Sequence, residues 1–450
     1  MSASIFDSKY FGDTFGNPEV QKIFSDEGRF SSWLRFEASL AKTQAKLGLI
    51  PESAAAVICS AALYENLDID CMKREYKKVG FPIVPLIHEL AKNCDSDSAR
   101  YVHWGATTQD AVDTGLSLQM KDAFYIISKQ LDELINLVKD LSVKHKKTVM
   151  PGRTFQQHAA PITFGFKSSI WLDELLRHKR RLSQVKKHAL VCQFGGAVGT
   201  LATLEDKGLD VLRELSIDLG LEEPDISWHV SRDGWAEAIF WLALVGASLS
   251  KIANEVSTLM RTEIDEIREP FEAGKGSSST MPQKRNPVAC PIIIAIGNKL
   301  RESVSSQLSA MTQEHERGVS AMPLEWQVIP EAFILLSGSL NTTISMLSDL
   351  QINEKKMLMN LSLGGGMLMA EAVMMGIASK IGRDAAHDLI SSVASNAWDK
   401  KISLKEALKI DKSVSKYLSG EDIEELTNPS NYLGSSYKMI DRVIDKLKDE

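Results

Sequence analysis

The chain has 450 residues, of which 44% are hydrophobic and 25% charged, the balance of a soluble globular protein with room for two or three domains and a large core. A net charge of −7 disfavours nucleic acid and anionic membrane surfaces as partners, and the longest nearly apolar run, residues 239–249, is too short to span a bilayer. Five cysteines without paired spacing (Cys59, Cys71, Cys94, Cys192, Cys290) and a first segment lacking a basic stretch before an apolar one predict reduced thiols in a cytoplasmic protein. Nothing in this composition implies a metal or an organic cofactor.

In chain order, the first 110 residues predict short helices around 30–47, 52–62 and 68–75. A polar island follows, Tyr101-Val102-His103-Trp104-Gly105-Ala106-Thr107-Thr108-Gln109-Asp110. From 118 to 150 there is neither Gly nor Pro, and Ile127, Leu131, Leu134, Val138 and Leu141 recur at helical spacing. A second island, Gly152-Arg153-Thr154-Phe155-Gln156-Gln157-His158-Ala159-Ala160-Pro161, reads on composition as an interhelical turn. Residues 235–269 predict another long helix stopped by Pro270, and 292–311 and 330–350 predict two more. Helices of this length run to roughly 50 Å at about 1.5 Å per residue, which predicts a long bundle. Past about residue 360, Gly364-Gly365-Gly366 marks a change to shorter helices and turns such as Asn428-Pro429-Ser430-Asn431.

Strand patterns are scarce, so the expected fold is all-α with three mainly helical domains: a head over 1–110, a central long-helix bundle over 111–360 and a tail over 361–450. Long helices with wide apolar stripes often bury them between subunits, which predicts a homo-oligomer.

The third island is the most informative: Gly276-Ser277-Ser278-Ser279-Thr280-Met281-Pro282-Gln283-Lys284-Arg285-Asn286-Pro287. With no apolar face to bury it reads as a loop, and hydroxyls beside fixed cations suit an anionic substrate. A flexible connector has no use for two prolines bracketing Lys284 and Asn286. Arg153, Lys284 and Arg285 are the candidates for concentrating positive charge in an acidic chain.

The three islands together resemble the shared segments of the fumarase/aspartase superfamily, lyases that remove a proton beside a carboxylate and expel a group from the neighbouring carbon. The resemblance covers essentially the whole chain, and it implies tetramers that pool their central helices and share active sites between subunits. It assigns His103, Thr107 and Thr108 to substrate carboxylates, although His103 also reads as a core histidine and Thr107, Thr108 and Asp110 as a helix cap. It assigns Arg153, Thr154 and Gln157 to substrate binding, Arg153 by a two-pronged grip. It makes Ser278 the catalytic base, its alkoxide stabilised by Lys284 and loop N–H groups, with Asn286 orienting a carboxylate. Ser277 and Ser279 read as loop filler.

One position departs from much of the superfamily. Fumarases, argininosuccinate lyases and adenylosuccinate lyases place a histidine used in acid–base work directly after the threonine, where this chain has Phe155. That role is vacant or moved, with His158 the candidate. An aromatic at 155, together with His103-Trp104-Gly105-Ala106-Thr107-Thr108-Gln109-Asp110, Gln157-His158-Ala159, Cys192-Gln193-Phe194-Gly195-Gly196-Ala197-Val198-Gly199-Thr200-Leu201 and Glu325-Trp326, resembles the bacterial 3-carboxy-cis,cis-muconate cycloisomerase branch. The expected substrate is therefore a small polycarboxylate. The alternatives are a fumarate-releasing lyase, adenylosuccinate lyase-like or acting on another substituted succinate, and an inactive structural homologue. Weaker features are Trp228-His229-Val230-Ser231-Arg232-Asp233, with Arg232 a candidate substrate contact and Asp233 a first-turn acid. Glu314-His315-Glu316-Arg317-Gly318 reads as a solvated turn, and His88 as a core residue.

Overall fold

The computed structural model describes residues 4–270, 276, 280, 281, 283–318 and 320–448, and helices dominate it, as an all-α class requires. Among the described residues five helices reach 22 residues or more: Thr108–Lys144, Phe164–Ala189, Asp233–Leu259, Ala289–Ala310 and Ala321–Ser348. The first, with 37 residues, extends about 55 Å. It begins at the cap expected at Thr107 and Thr108, ahead of the stretch from 118 that lacks Gly and Pro. Gly115 lies inside it because a Cβ there would sit 2.4 Å from Trp33 Cδ1, so the missing side chain admits the indole. The Ala321–Ser348 helix likewise starts ahead of the predicted 330 and carries Pro330 in its interior, forgoing one backbone hydrogen bond. The Asp233–Leu259 helix stops short of Pro270, since the chain reverses at Asp265 (φ 50) and enters a short strand.

The chain divides into two compact units. The first gathers Met1–Asp132, Arg177–Ser250 and Ile292–Thr342. An aromatic cluster lies in its core: Phe124 meets Phe333 edge to face at 4.7 Å and Trp241 at 5.9 Å, and Phe24 lies 5.7 Å from Phe333. Each such ring contributes roughly 1.5–3 kcal/mol on full burial. The indole N–H groups of Trp235 and Trp241 are satisfied by the carbonyls of Ala189 and His178, at 3.1 and 3.0 Å. By length and apolarity the Asp233–Leu259 helix matches a membrane span, yet 67% of its most apolar stretch is buried inside the protein.

The second unit gathers Glu133–Leu176, Lys251–Pro291 and Thr343–Glu450. It holds the two small sheets: Val149–Thr154 pairs antiparallel with Gln157–Thr163, and Ile267–Arg268 with Gln351–Ile352. Its tail packs Val373, Ile377, Ile390, Val393, Leu404, Leu408 and Val414 into one core. Two helices there start with reciprocal capping boxes, Ser403 with Glu406 and Ser419 with Asp422.

Candidate active site

In the first unit, the helix from Thr108 starts at a saturated carboxylate. Asp110, fully buried, accepts the backbone N–H of Thr107 (3.0 Å), Gly195 (3.0 Å) and Gly196 (2.9 Å), and meets His229 Nε2 at 2.7 Å. The capping role expected of it is therefore real, and it also fixes the Gly-rich segment after Cys192. A Cβ on Gly195 would lie 2.9 Å from Ser227 Oγ and 3.0 Å from His229 Cε1, so that segment needs its glycine. Because a carboxylate only accepts, His229 donates through Nε2, while its Nδ1 lies 3.1 Å from Ser227 Oγ.

His103 stands just upstream in the left-handed region (φ 59), its Nδ1 2.6 Å from Oε1 of the fully buried Glu37. Burial pulls its pKa down, but the Glu37 charge and hydrogen bond, joined by Asp110, outweigh burial and raise it above the ordinary histidine value. His103 is thus a paired, mostly buried histidine, as its core reading expects. Thr107 Oγ accepts Nη1 of Arg317 at 3.0 Å, and Arg317 also donates to the carbonyls of Ala197 (2.9 Å) and Gly196 (3.3 Å). Residues 314–316 are exposed as a solvated turn should be, but Arg317 leaves that turn to close over Thr107. Thr108, the first helical residue, is half-buried.

Arg232 does not present itself to a ligand. It is about 1% exposed, bonded to Asp113 (2.7 and 3.1 Å) and Glu325 (3.0 and 2.6 Å), with its guanidinium 4.0 Å from the Trp235 ring centre. Four of its five N–H donors are bonded to these two carboxylates, so the candidate substrate contact is a structural clamp. Asp233 is the first-turn acid expected. His88, expected in the core, is exposed and pairs with Glu75 at 2.6 Å. The apolar face of its helix runs through Ile83, Leu86 and Leu90, which leaves position 88 outside.

In the second unit, the second island is a β-hairpin rather than a turn between helices. Its two-residue tip, Phe155-Gln156, has φ 46 and 65, the signature of a type I′ turn that normally uses Asn or Gly. Each non-glycine residue so placed costs on the order of 1–3 kcal/mol, a strain that collects at functional sites. Phe155 is completely exposed at the tip, and Thr154 and Gln157 flank it, also exposed. Arg153 keeps the predicted two-pronged geometry, but the carboxylate in its fork is Glu266, at 2.9 and 2.6 Å. Glu266 is fully buried and also accepts Nδ2 of Asn360 at 2.8 Å. His158, half-buried, has its pKa lowered by burial and by the Arg153 cation, with Glu266 opposing.

Also in the second unit is the third island, whose two ends are stapled. Oε2 of Glu269 accepts the N–H groups of Val288 (2.8 Å) and Ala289 (3.1 Å), and Oε1 that of Cys290 (3.0 Å), placing an anion on the N-terminus of the Ala289–Ala310 helix. Further in, the Gly276 carbonyl accepts both the backbone N–H (3.0 Å) and the side-chain amide (3.1 Å) of Asn286. Lys284 is exposed, its backbone bonded to the Met281 carbonyl at 3.1 Å. Ser278, with Ser277 and Ser279, lies outside the described residues. Among the described residues, no group of three or more His, Cys, Asp or Glu side chains is placed to hold a metal ion.

Sequence reasoning missed Glu37, Glu266, Glu269, His229 and Arg317 as organisers of the islands. Glu266 and Glu269 stand on either side of a short strand that sequence reading absorbed into a helix, and Glu37 sits beside Phe36 on a buried helical face.

Mainly helical units built on five long helices, with polar segments pinned at a helix start, a hairpin and a stapled loop, define an α-helical lyase architecture. The sequence matches the lyase family over residues 14–301 and the family described as adenylosuccinate lyase C-terminus over residues 366–443. The chain belongs to the fumarase/aspartase superfamily. It is 38% identical to a 3-carboxy-cis,cis-muconate cycloisomerase of Pseudomonas aeruginosa, over 97% of this chain and 96% of that one. The crystal structure of the 3-carboxy-cis,cis-muconate lactonizing enzyme from Pseudomonas putida superposes with a TM-score of 0.94 at 38% identity, covering 98% and 99% of the two chains. An N-acetyl-S-(2-succino)cysteine lyase of Dickeya dadantii is 35% identical over 99% of this chain and 98% of its own. Superfamily membership is thus established across the whole chain, and the relatives carry several reactions.

Proposed function

We propose that the protein is a cycloisomerase that interconverts 3-carboxy-cis,cis-muconate and 4-carboxymuconolactone in the breakdown of protocatechuate. The observation that carries this reading is Phe155 at the strained hairpin tip, in the place where the amine-expelling lyases keep a proton-donating histidine. The proton exchanged is the one alpha to a carboxylate, and the group that leaves in lactone opening is an internal carboxylate oxygen. A carboxylate is stable as it departs and needs little help from an acid, whereas an amine must be protonated.

In this reading Ser278 is the base, its alkoxide stabilised by Lys284 and loop N–H groups, which also stabilise the enediolate. The staples at Glu269 and Gly276 hold the ends of that loop in register. His103, Thr107 and Thr108 bind carboxylate at a helix N-terminus, where the dipole favours an anion. Thr154, Gln157 and Asn286 add polar contacts. His158 carries the acid–base work left by Phe155, and Arg153 acts through the charge it holds beside His158. The enzyme works in the cytoplasm as a homotetramer that assembles each site from several subunits. Tyr125, Phe240 and Leu308, more than half exposed on three of the long helices, are the apolar positions such an assembly would cover.

A second reading has its own support. The succinocysteine lyase relative breaks a C–S bond by name, and a thiolate, like a carboxylate, leaves without a strong acid. Phe155 therefore argues against C–N lyases and not against this one. The test is the ultraviolet absorbance of 3-carboxy-cis,cis-muconate with wild type and with Ser278→Ala. Loss of the diene signal with wild type, slowed about 10²–10⁴-fold in the variant, is the expected outcome. No loss with the wild type, with fumarate released from a thio-substituted succinate, would move the assignment to the C–S lyase. Fumarate from adenylosuccinate would move it to a C–N lyase.

A further inference from the structure

One helix of the first unit holds the His103 turn from beneath. Glu37 and Gln44, seven residues and two turns apart on the Asp26–Lys46 helix, share a face. Glu37 takes His103 Nδ1, and Gln44 Nε2 donates to the Trp104 carbonyl at 2.7 Å. Both side chains are buried, and each keeps one further oxygen, Glu37 Oε2 and Gln44 Oε1, without a hydrogen-bond partner. Two acceptors left in a dry site are costly unless a positive group stands beside them. The charged groups facing His103 are Glu37 from this helix and Asp110 from the start of the Thr108–Lys144 helix, both acidic.

The bond to Glu37 fixes what the other ring nitrogen can do. With Nδ1–H given to Glu37, a neutral imidazole has only a lone pair at Nε2 and repels a carboxylate. An imidazolium instead carries a second N–H there. We propose that Glu37 is the positioning residue of the substrate site: it orients His103 through Nδ1 and leaves a positively charged Nε2–H for a carboxylate of the substrate. This rests on the reading of His103 as a carboxylate contact. The direction of the His103 pKa, above its ordinary value, agrees with the geometry. His103 makes this bond from the left-handed region (φ 59), a strained conformation of the kind that collects at functional sites.

The test uses the full-length protein and Glu37→Gln, which keeps an acceptor for Nδ1–H and removes only the charge. Imidazole NMR follows the His103 titration, and calorimetry follows binding of tricarballylate, a saturated tricarboxylate that cannot react, from pH 5.5 to 8.5. In Glu37→Gln the His103 midpoint should fall by about one pH unit or more, and tricarballylate should bind roughly tenfold more weakly at pH 7, the loss of one charge-assisted hydrogen bond. The pH at which binding weakens should fall with the midpoint. Gln44→Ala loosens the same turn without touching charge, and should weaken binding equally at every pH while the midpoint stays in place. An unmoved midpoint in Glu37→Gln, or a moved midpoint with an unchanged binding profile, overturns the inference. If the wild type turns over no muconate but its tricarballylate binding still tracks His103, the cycloisomerase reading fails and the role of Glu37 stands.

Discussion

Arg153 and Glu266 meet fork to fork, Nη1 to Oε2 at 2.9 Å and Nη2 to Oε1 at 2.6 Å, and this pair ties the hairpin to the segment that leads into the third island. The guanidinium that sequence reasoning assigned to a substrate carboxylate holds one of the protein's own, Glu266, in its fork. Its charge also helps, after burial, to lower the pKa of His158.

Arg153→Met is therefore a stability variant first. It leaves the Glu266 carboxylate buried with Asn360 as its remaining side-chain partner, at a cost of about 3 kcal/mol, the lower end for stripping one member from a buried pair. Urea unfolding should show a lowered midpoint, and Arg153→Met with Glu266→Gln should recover more than half of the loss. An unchanged midpoint accompanied by a raised KM would place the Arg153 fork on substrate in the working enzyme.

Much of this arrangement was legible in the sequence. The long helices follow from apolar spacing, and the polar islands from residues with no use in a bundle core, so the class and the segments that matter could be read directly. What escaped was set by tertiary contact. The hairpin carries no turn signal, because Phe155-Gln156 fills a turn that ordinarily takes Asn-Gly, and burial of Pro151, Pro161 and Thr163 imposes the pairing that propensity does not. The Thr108–Lys144 helix carries Gly115 in its interior because Trp33, far away in sequence, needs the space there. Glu266, Glu269 and Glu37 are ordinary glutamates in sequence and acquire roles only from what folds against them.

The loop staple at Glu269 gives the next prediction. Glu269→Ala removes the acceptor of three backbone N–H groups at the start of the Ala289–Ala310 helix, and should lower stability by about 1–2 kcal/mol, as loss of a helix cap does. Amide exchange at Val288, Ala289 and Cys290 should accelerate at least tenfold, about 1.4 kcal/mol of local protection. If Ser278 in this loop is the base, as proposed above, kcat should fall more than KM changes. Unaltered exchange at those three amides would show that the loop does not depend on this cap.

The strained hairpin tip predicts a gain in stability. Gln156 sits at φ 65, where glycine meets no steric penalty, so Gln156→Gly should raise the unfolding free energy by up to about 1 kcal/mol after allowing for the extra freedom of glycine in the unfolded chain. Differential scanning calorimetry checks it. A destabilised variant would mean that the Gln156 side chain makes contacts worth more than the strain.

His158 separates the candidate reactions, because leaving groups differ in how much acid they need. If a carboxylate oxygen departs, His158→Gln should lower kcat less than about tenfold, whereas expulsion of an amine should suffer the 10²–10⁴-fold loss of a true general acid. The same residue has a stability signature whose sign follows from its depressed pKa. The unfolded chain binds a proton at His158 more readily than the native one, so the native state loses stability as pH falls through about 6.5 towards the lower folded value. His103 works in the opposite sense: its raised pKa supplies stability in full below the unfolded value, and that stability is lost as pH rises through the folded one. Thermal melts between pH 5 and 8 should therefore show His158→Gln less sensitive to acid than the wild type, and His103→Gln relatively less stable at the acidic end. A His158→Gln protein with the wild-type acid profile would mean that the Arg153 charge and burial do not reach that imidazole.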